Sequence, residues 1–154
     1  MEIIGKPTLN PVLFYTGKIS GYITWIVFVY SVCNERNMNF GFRSIASFCL
    51  FTGGFVLTIL SLLYLGKSLR LGLPVENTLL KSDGIYKISR NPMYVGFGMF
   101  TIASMIYNPN VAIIICGIFS LMVYHLIIKS EENFLSIRFG KEYENYRKTV
   151  RRYL

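Results

Sequence analysis

Three stretches of this chain carry no lysine, arginine, aspartate or glutamate: residues 19–34, 44–66 and 91–128. Runs of that length decide the class of fold before any motif is read. A helix crossing a bilayer needs roughly 20 predominantly apolar residues, with a range of about 17–25. Residues 44–66 make one crossing. Residues 11–33 make another if Lys18 runs its stem along the apolar surface toward the headgroups. Residues 91–128 are too many for one crossing, and Asn108, Pro109 and Asn110 interrupt them with a turn signal. They read as two helices, 92–107 and 111–128, folded as a tight hairpin. The first of these is short and is expected to begin below the membrane surface.

Only 16% of the residues are charged, against about 25% in soluble domains. The expected fold is therefore an all-α integral membrane protein. It has four transmembrane helices, the last two a hairpin, with a long cytoplasmic loop and a C-terminal amphipathic helix. A net charge of +8 raises nucleic acid as a partner, since a basic patch is its electrostatic footprint. The distribution excludes it. With four spans only Arg36 and Arg43 fall on one side, and the other 14 of the 16 basic residues fall on the opposite side. That asymmetry marks cytoplasmic loops, so both termini and the 67–91 loop are expected in the cytoplasm, with the bilayer as partner. The N-terminus lacks the pattern of a cleavable signal peptide. Cys33, Cys49 and Cys116 stand singly in or at the end of apolar segments. They read as buried apolar cysteines rather than metal ligands or a disulfide pair.

The chain divides into residues 1–66, two N-terminal membrane helices, and 67–154, which holds nearly all the charge and almost all the candidate site groups. Gly53 and Gly54 permit close helix approach or a local bend. The connection from Lys67 to Arg90 exceeds the roughly 2–8 residues usual between helices. Its Leu69, Leu71, Leu73, Val75, Leu79 and Leu80 suit a packed cover, and Ser82, Asp83 and Gly84 form a turn. Beyond the hairpin, Phe139, Tyr143, Tyr146 and Val150 share a helical face. They read as an amphipathic helix with tyrosines in the headgroup layer, broken at Gly140.

Glu131 and Glu132 follow the last apolar run. Carboxylates at a helix C-terminus oppose its dipole, so the helix is expected to continue through them. His125, Lys129 and Glu132 then stand at i, i+4 and i+7 on one face. His125 is the only histidine, and an ionisable group in a span is a functional candidate. Pro92 suits the first helical position. The helix end behind it carries unpaired N–H groups and the positive end of the dipole, with Arg90, Asn91 and Tyr94 around it. That suits an anionic ligand group. Gly96 and Gly98 let something approach the backbone, either a ligand or another helix. No strand precedes them, so they are not a dinucleotide fingerprint. These parts describe a polar cofactor at the cytoplasmic interface, in a site opening sideways toward lipid.

Leu80, Gly84-Ile85-Tyr86, Arg90-Asn91-Pro92-Met93-Tyr94 and Gly96 resemble the L..-S-G-x-Y...R-H-P-x-Y-x-G signature of isoprenylcysteine carboxyl methyltransferases. Glu131-Glu132, Leu135, Phe139-Gly140, Glu142-Tyr143, Tyr146, Val150 and Arg152 resemble that family's C-terminal tail. The resemblance covers residues 67–154 and extends to phospholipid N-methyltransferases. It implies S-adenosylmethionine as cofactor, S-adenosylhomocysteine as product and a lipophilic acceptor, an isoprenylcysteine-type carboxylate or a similar lipid. Carried over, cofactor contacts fall on Thr78, Leu79, Leu80 and Lys81, on Tyr86, and on Asn91, Pro92, Met93 and Tyr94. Gly96, Gly98, Glu131 and Glu132 complete that set, and the glutamates hold the cofactor's cationic end. Asn91 stands where the family has histidine; it hydrogen-bonds but does not titrate. His125 stands where the family has an arginine suited to a substrate carboxylate, with Lys129 one turn later. His125 and Arg152 are thus expected to face the acceptor.

The chemistry asks little of acid–base groups, because positioning carries an in-line displacement on an activated sulfonium. A carboxylate acceptor needs no base, whereas an ammonium headgroup must first lose a proton. Two other classes compete. Membrane sterol reductases share the Arg-His-Pro-x-Tyr segment and use NADPH, but their tails differ from Phe139-Gly140-Lys141-Glu142-Tyr143. A non-enzymatic membrane partner protein leaves the polar constellation without a use.

Overall fold

The computed structural model describes residues 9–35, 41–65 and 80–154, and apart from one isolated bridge their regular structure is helical. The chain is an all-α membrane protein. Helices α1 (Pro11–Asn34), α2 (Phe42–Leu65) and α4 (Val111–Phe139) are each long and apolar enough to cross a bilayer. Helix α3 (Pro92–Tyr107) is apolar but has 16 residues, about 24 Å of helix. A 3₁₀ turn at Gly84–Lys87 precedes α3, and α5 (Lys141–Thr149) follows α4.

Local chemistry places the helix ends. The Asn10 side chain accepts from Val12 N at 2.9 Å, and Asn110 accepts from Ala112 N at 2.9 Å, each filling one of the orphan donors of a helix start. Helix α4 runs through Glu131 and Glu132, as expected from the dipole. It stops where Gly140 takes φ 49°, the left-handed conformation that glycine adopts without a Cβ penalty.

The two halves of the sequence interleave: α2 packs on α3 and α1 on α4. Small residues make both seams, as in membrane bundles generally. A β-carbon on Gly21 would meet the Ser120 hydroxyl at 2.6 Å and the Tyr124 phenol, and one on Gly17 would meet Val123. Hydrogen bonds tie α1 to both its neighbours: to α4 from Ser20 Oγ to Cys116 O at 2.8 Å, and to α3 from Ser104 Oγ to Thr24 O at 2.6 Å and from Trp25 Nε1 to Thr101 Oγ1 at 3.0 Å. The core is Phe14, Tyr94, Val123, Tyr124, Ile127 and Ile128. Ile26, Tyr30, Leu63, Ile115 and Met122 point outward, where lipid is as apolar as they are.

Two expectations are corrected here. Cys33 and Cys49 are exposed and Cys116 half-buried, so the cysteines serve the outer surface rather than the core. Tyr143 is 1% exposed, and Tyr146 donates its hydroxyl to Tyr86 O at 2.6 Å. These tyrosines bind α5 to the segment before α3 instead of sitting among headgroups.

Gly84 has φ 57°, and a β-carbon there would run into the Tyr64 ring. Gly84→Ala is expected to cost about 1–2 kcal/mol in backbone strain, plus the displacement of Tyr64. Thermal unfolding in detergent measures it, with Tyr64→Ala in the same chain removing the steric part. An unchanged midpoint for Gly84→Ala contradicts the assignment.

Candidate functional site

The polar groups converge on the end of α3 that carries Pro92 and on the α4 turn that carries the two glutamates. Glu132 is buried among donors. Its Oε1 accepts from Arg90 Nη2 at 3.0 Å and from Asn91 Nδ2 at 3.2 Å. Its Oε2 accepts from Arg152 Nε at 3.0 Å and Nη2 at 2.8 Å. Both Arg152 nitrogens share this one oxygen in a charge-assisted contact, which raises the Arg152 pKa above its ordinary value. The side chains of Glu132 and Arg90 are 6% and 7% exposed, that of Arg152 28%. One carboxylate thus neutralises one of two guanidiniums, and a positive charge remains.

The cluster fastens the tail beyond α5. Arg90 N donates to Arg151 O at 2.9 Å, and Ser89 Oγ and Asn91 Nδ2 both donate to Arg152 O at 3.3 Å. Arg90 Nη1 donates to Arg147 O at 3.1 Å, while its Nε and the Tyr143 hydroxyl are buried without a hydrogen-bond partner. Burial pushes the Tyr143 pKa up to about 12, so it remains a neutral phenol.

Glu131 has a different environment from its neighbour. Its Oε1 accepts from the Tyr94 hydroxyl at 2.7 Å, and the cation acting on it is Lys18 of α1, whose Nζ lies 4.1 Å from the centre of the Phe14 ring. Tyr86 lies in the field of the same carboxylate. Burial first, and then that negative charge, raise its pKa to about 12. Asn91 begins α3 without a side-chain cap, which leaves the first-turn N–H groups of α3 to other partners.

Tyr94 also lines a groove of about 530 Å³ between α3 and α4. Its walls include Gly98, Met99, Leu121 and Ile128, and Tyr153 and His125 stand on its edge. His125 Nδ1 lies 2.6 Å from the Tyr153 hydroxyl. A β-carbon on Gly98 would come no nearer than 3.5 Å to Leu121, so this glycine borders open space.

The residues expected from sequence divide accordingly. Asn91, Glu132 and Arg152 are in direct contact, Tyr94 holds Glu131, and Tyr94, Gly98 and His125 share the groove. Pro92 is buried at the first turn of α3, and Met93 packs against the core. Leu80 and Lys81, both half-buried, lead into the 3₁₀ turn. Thr78 and Leu79 lie outside the described residues, as does most of the expected cover. Of the two alternatives for Gly96, a ligand or another helix, the structure has the helix: its missing side chain makes room for α2, where a β-carbon would lie 2.7 Å from Gly54 O and against Thr58 Oγ1. The shared face of His125, Lys129 and Glu132 also divides, since the first two are exposed and Glu132 is buried. Ser89, Tyr143 and Tyr153 were not singled out as site residues. Arg90 was visible beside Asn91-Pro92, whereas Tyr153 gave no signal without its partner.

Comparison with known proteins places this geometry. A family model described as phospholipid methyltransferase matches residues 42–142, about two thirds of the chain. A protein-S-isoprenylcysteine O-methyltransferase of Schizosaccharomyces pombe is 37% identical over 78 residues, covering 49% of this chain and 32% of that protein. One of the same name from Dictyostelium discoideum is 32% identical over 76 residues, covering 49% and 32%. The chain thus matches about a third of the length of these relatives. No solved structure matches it.

Proposed function

The chain belongs to the phospholipid methyltransferase family, and from that premise we propose that it is a membrane methyltransferase using S-adenosylmethionine. Its acceptor is a lipophilic molecule with an isoprenylcysteine-type carboxylate, the substrate class in the names of its relatives. It crosses the membrane four times, with α3 as the short span and both termini in the cytoplasm. Family membership favours this reading over the reductase and the non-enzymatic partner.

One observation carries the proposal: Tyr94 belongs to both halves of the site. Its hydroxyl holds Glu131, and its ring lines the apolar groove. A charged cofactor and a lipid acceptor must meet at such a boundary. The residues fit the cofactor's charges. Glu131, whose pairing with Tyr94 uses one oxygen, suits its cationic groups. The uncapped start of α3 and the excess positive charge of the Arg90–Glu132–Arg152 cluster suit its carboxylate. The cofactor supplies a methyl group already activated on sulfur. Glu131 and Tyr94 orient it, Tyr86 closes the polar side as a neutral phenol, and the groove aligns the acceptor. Leu121 and Ile128 exclude water from that alignment. No residue has to remove a proton if the acceptor is a carboxylate.

Titration calorimetry of the detergent-solubilised protein with S-adenosylhomocysteine tests the cofactor. Wild type is expected to bind, and Glu131→Gln to bind on the order of 10–100-fold more weakly through loss of a charge-assisted contact. Equal affinities would remove Glu131 from the site, and no binding by wild type defeats the proposal. Radiolabelled transfer into a membrane extract identifies the acceptor bond. A methyl ester is released by base, whereas label on a phospholipid amine is not.

A further inference from the structure

The groove ends on a polar pair that the cofactor side does not use. His125 is exposed on α4, and its Nδ1 lies 2.6 Å from the Tyr153 hydroxyl. The ring centroids lie 6.3 Å apart at an interplanar angle of 28°, and the hydroxyl makes the close contact to Nδ1. Tyr153 is itself held in place, because the preceding Arg152 is fastened to Glu132 and its carbonyl to Ser89 and Asn91. Nε2 of His125 has no partner among the described residues.

We propose that Tyr153 is a positioning residue whose phenol donates to His125 Nδ1, leaving Nε2–H to donate to an oxyanion in the headgroup of a lipid lying in the groove. The inference rests on the reading of this groove as the acceptor site. Its direction follows from the two groups. A phenol has one proton to give, an imidazole nitrogen is the better acceptor, and a neutral ring bonded at Nδ1 carries its proton on Nε2. Burial raises the Tyr153 pKa, so the proton is present at neutral pH. Arg90 and Arg152 are committed to Glu132, so neither offers the headgroup the grip it gives that carboxylate. A neutral donor at an apolar boundary also costs less to desolvate than a free cation. Exposed Lys129, one turn along α4, adds attraction for an anion without occupying the groove wall.

The test is steady-state methylation of N-acetyl-S-farnesylcysteine in detergent micelles, with S-adenosylhomocysteine affinity measured alongside. Tyr153→Phe keeps the ring and loses the hydroxyl. It is expected to raise KM for the farnesylated acid about five- to tenfold, with kcat within about twofold and the S-adenosylhomocysteine Kd unchanged. His125→Gln places an amide N–H near Nε2 that needs no phenol to set its tautomer. In that background Tyr153→Phe is expected to change KM by less than about twofold. An unchanged KM in Tyr153→Phe, or an equal rise in both backgrounds, overturns the inference. So does methylation of dioleoylphosphatidylethanolamine in place of the acid. Failure of wild type to bind S-adenosylhomocysteine overturns the underlying reading instead.

Discussion

Glu132→Ala is expected to lower stability by about 3–5 kcal/mol, the usual cost of leaving a buried ion without its partner. Arg90 has only 7% of its side chain exposed, its Nε already lacks a partner, and Glu132 is the carboxylate it pairs with. Without that carboxylate the guanidinium keeps a bond to Arg147 O and no opposing charge. Arg152 is more exposed and can regain water, but the tail it anchors loses its fastening to α4. In detergent the unfolding midpoint should fall on the order of 10 °C. Glu132→Gln, which keeps an oxygen acceptor, should lose less. Arg90→Met in the alanine background should recover part of the loss, because the unpaired charge is then gone. A Glu132→Ala midpoint within a degree or two of wild type, or no recovery on removing Arg90, contradicts this account.

The same cluster explains Asn91. The Arg90-Asn91-Pro92-Met93-Tyr94 motif resembles that of a family with histidine in place of Asn91, and sequence left open what asparagine does there. Its amide donates to Glu132 Oε1 and to Arg152 O, tying α3, α4 and the tail together. That work needs two hydrogens on one nitrogen and no titration. Asn91 therefore braces the site, and the absence of a titrating group removes nothing from the proposed methyl transfer, whose acceptor would already be ionised.

Helix positions were legible because apolar runs and turn residues act locally: Asn10-Pro11, Asn91-Pro92, Asn108-Pro109-Asn110 and Gly140 each mark an end where the structure has one. The division of labour between Glu131 and Glu132 was not legible. Adjacent residues on a helix point about 100° apart, and only the placement of α1 and the tail decides that one meets Tyr94 in the field of Lys18 while the other meets two arginines. Tyr153 was silent for the same reason. A tyrosine near a basic tail has the composition of an interface anchor until a histidine 28 positions away is folded against it.

Gly96 and Gly98 looked alike in the sequence, and their substitutions are expected to behave in opposite ways. At Gly96 the backbones of α2 and α3 touch. A β-carbon there would lie 2.7 Å from Gly54 O, and one on Gly54 would lie 2.8 Å from Gly96 O. Backbone cannot rotate aside as a side chain does, so Gly96→Val forces α2 outward. This seam is the principal packing of α2 against the other helices. The expected loss is about 2–3 kcal/mol, the upper range for overpacking, read from thermal unfolding in detergent. S-adenosylhomocysteine affinity should weaken as well, because Tyr94 lies only half a turn away on α3. At Gly98 the nearest atom is a flexible leucine tip at 3.5 Å. Gly98→Ala should therefore be neutral or slightly stabilising, since alanine is the better helix former. Gly98→Leu should project into the groove and raise KM for the lipid acceptor while leaving cofactor affinity unchanged. Equal destabilisation at the two positions would mean that both glycines serve helix packing, and the groove between α3 and α4 would lose its standing as the acceptor site.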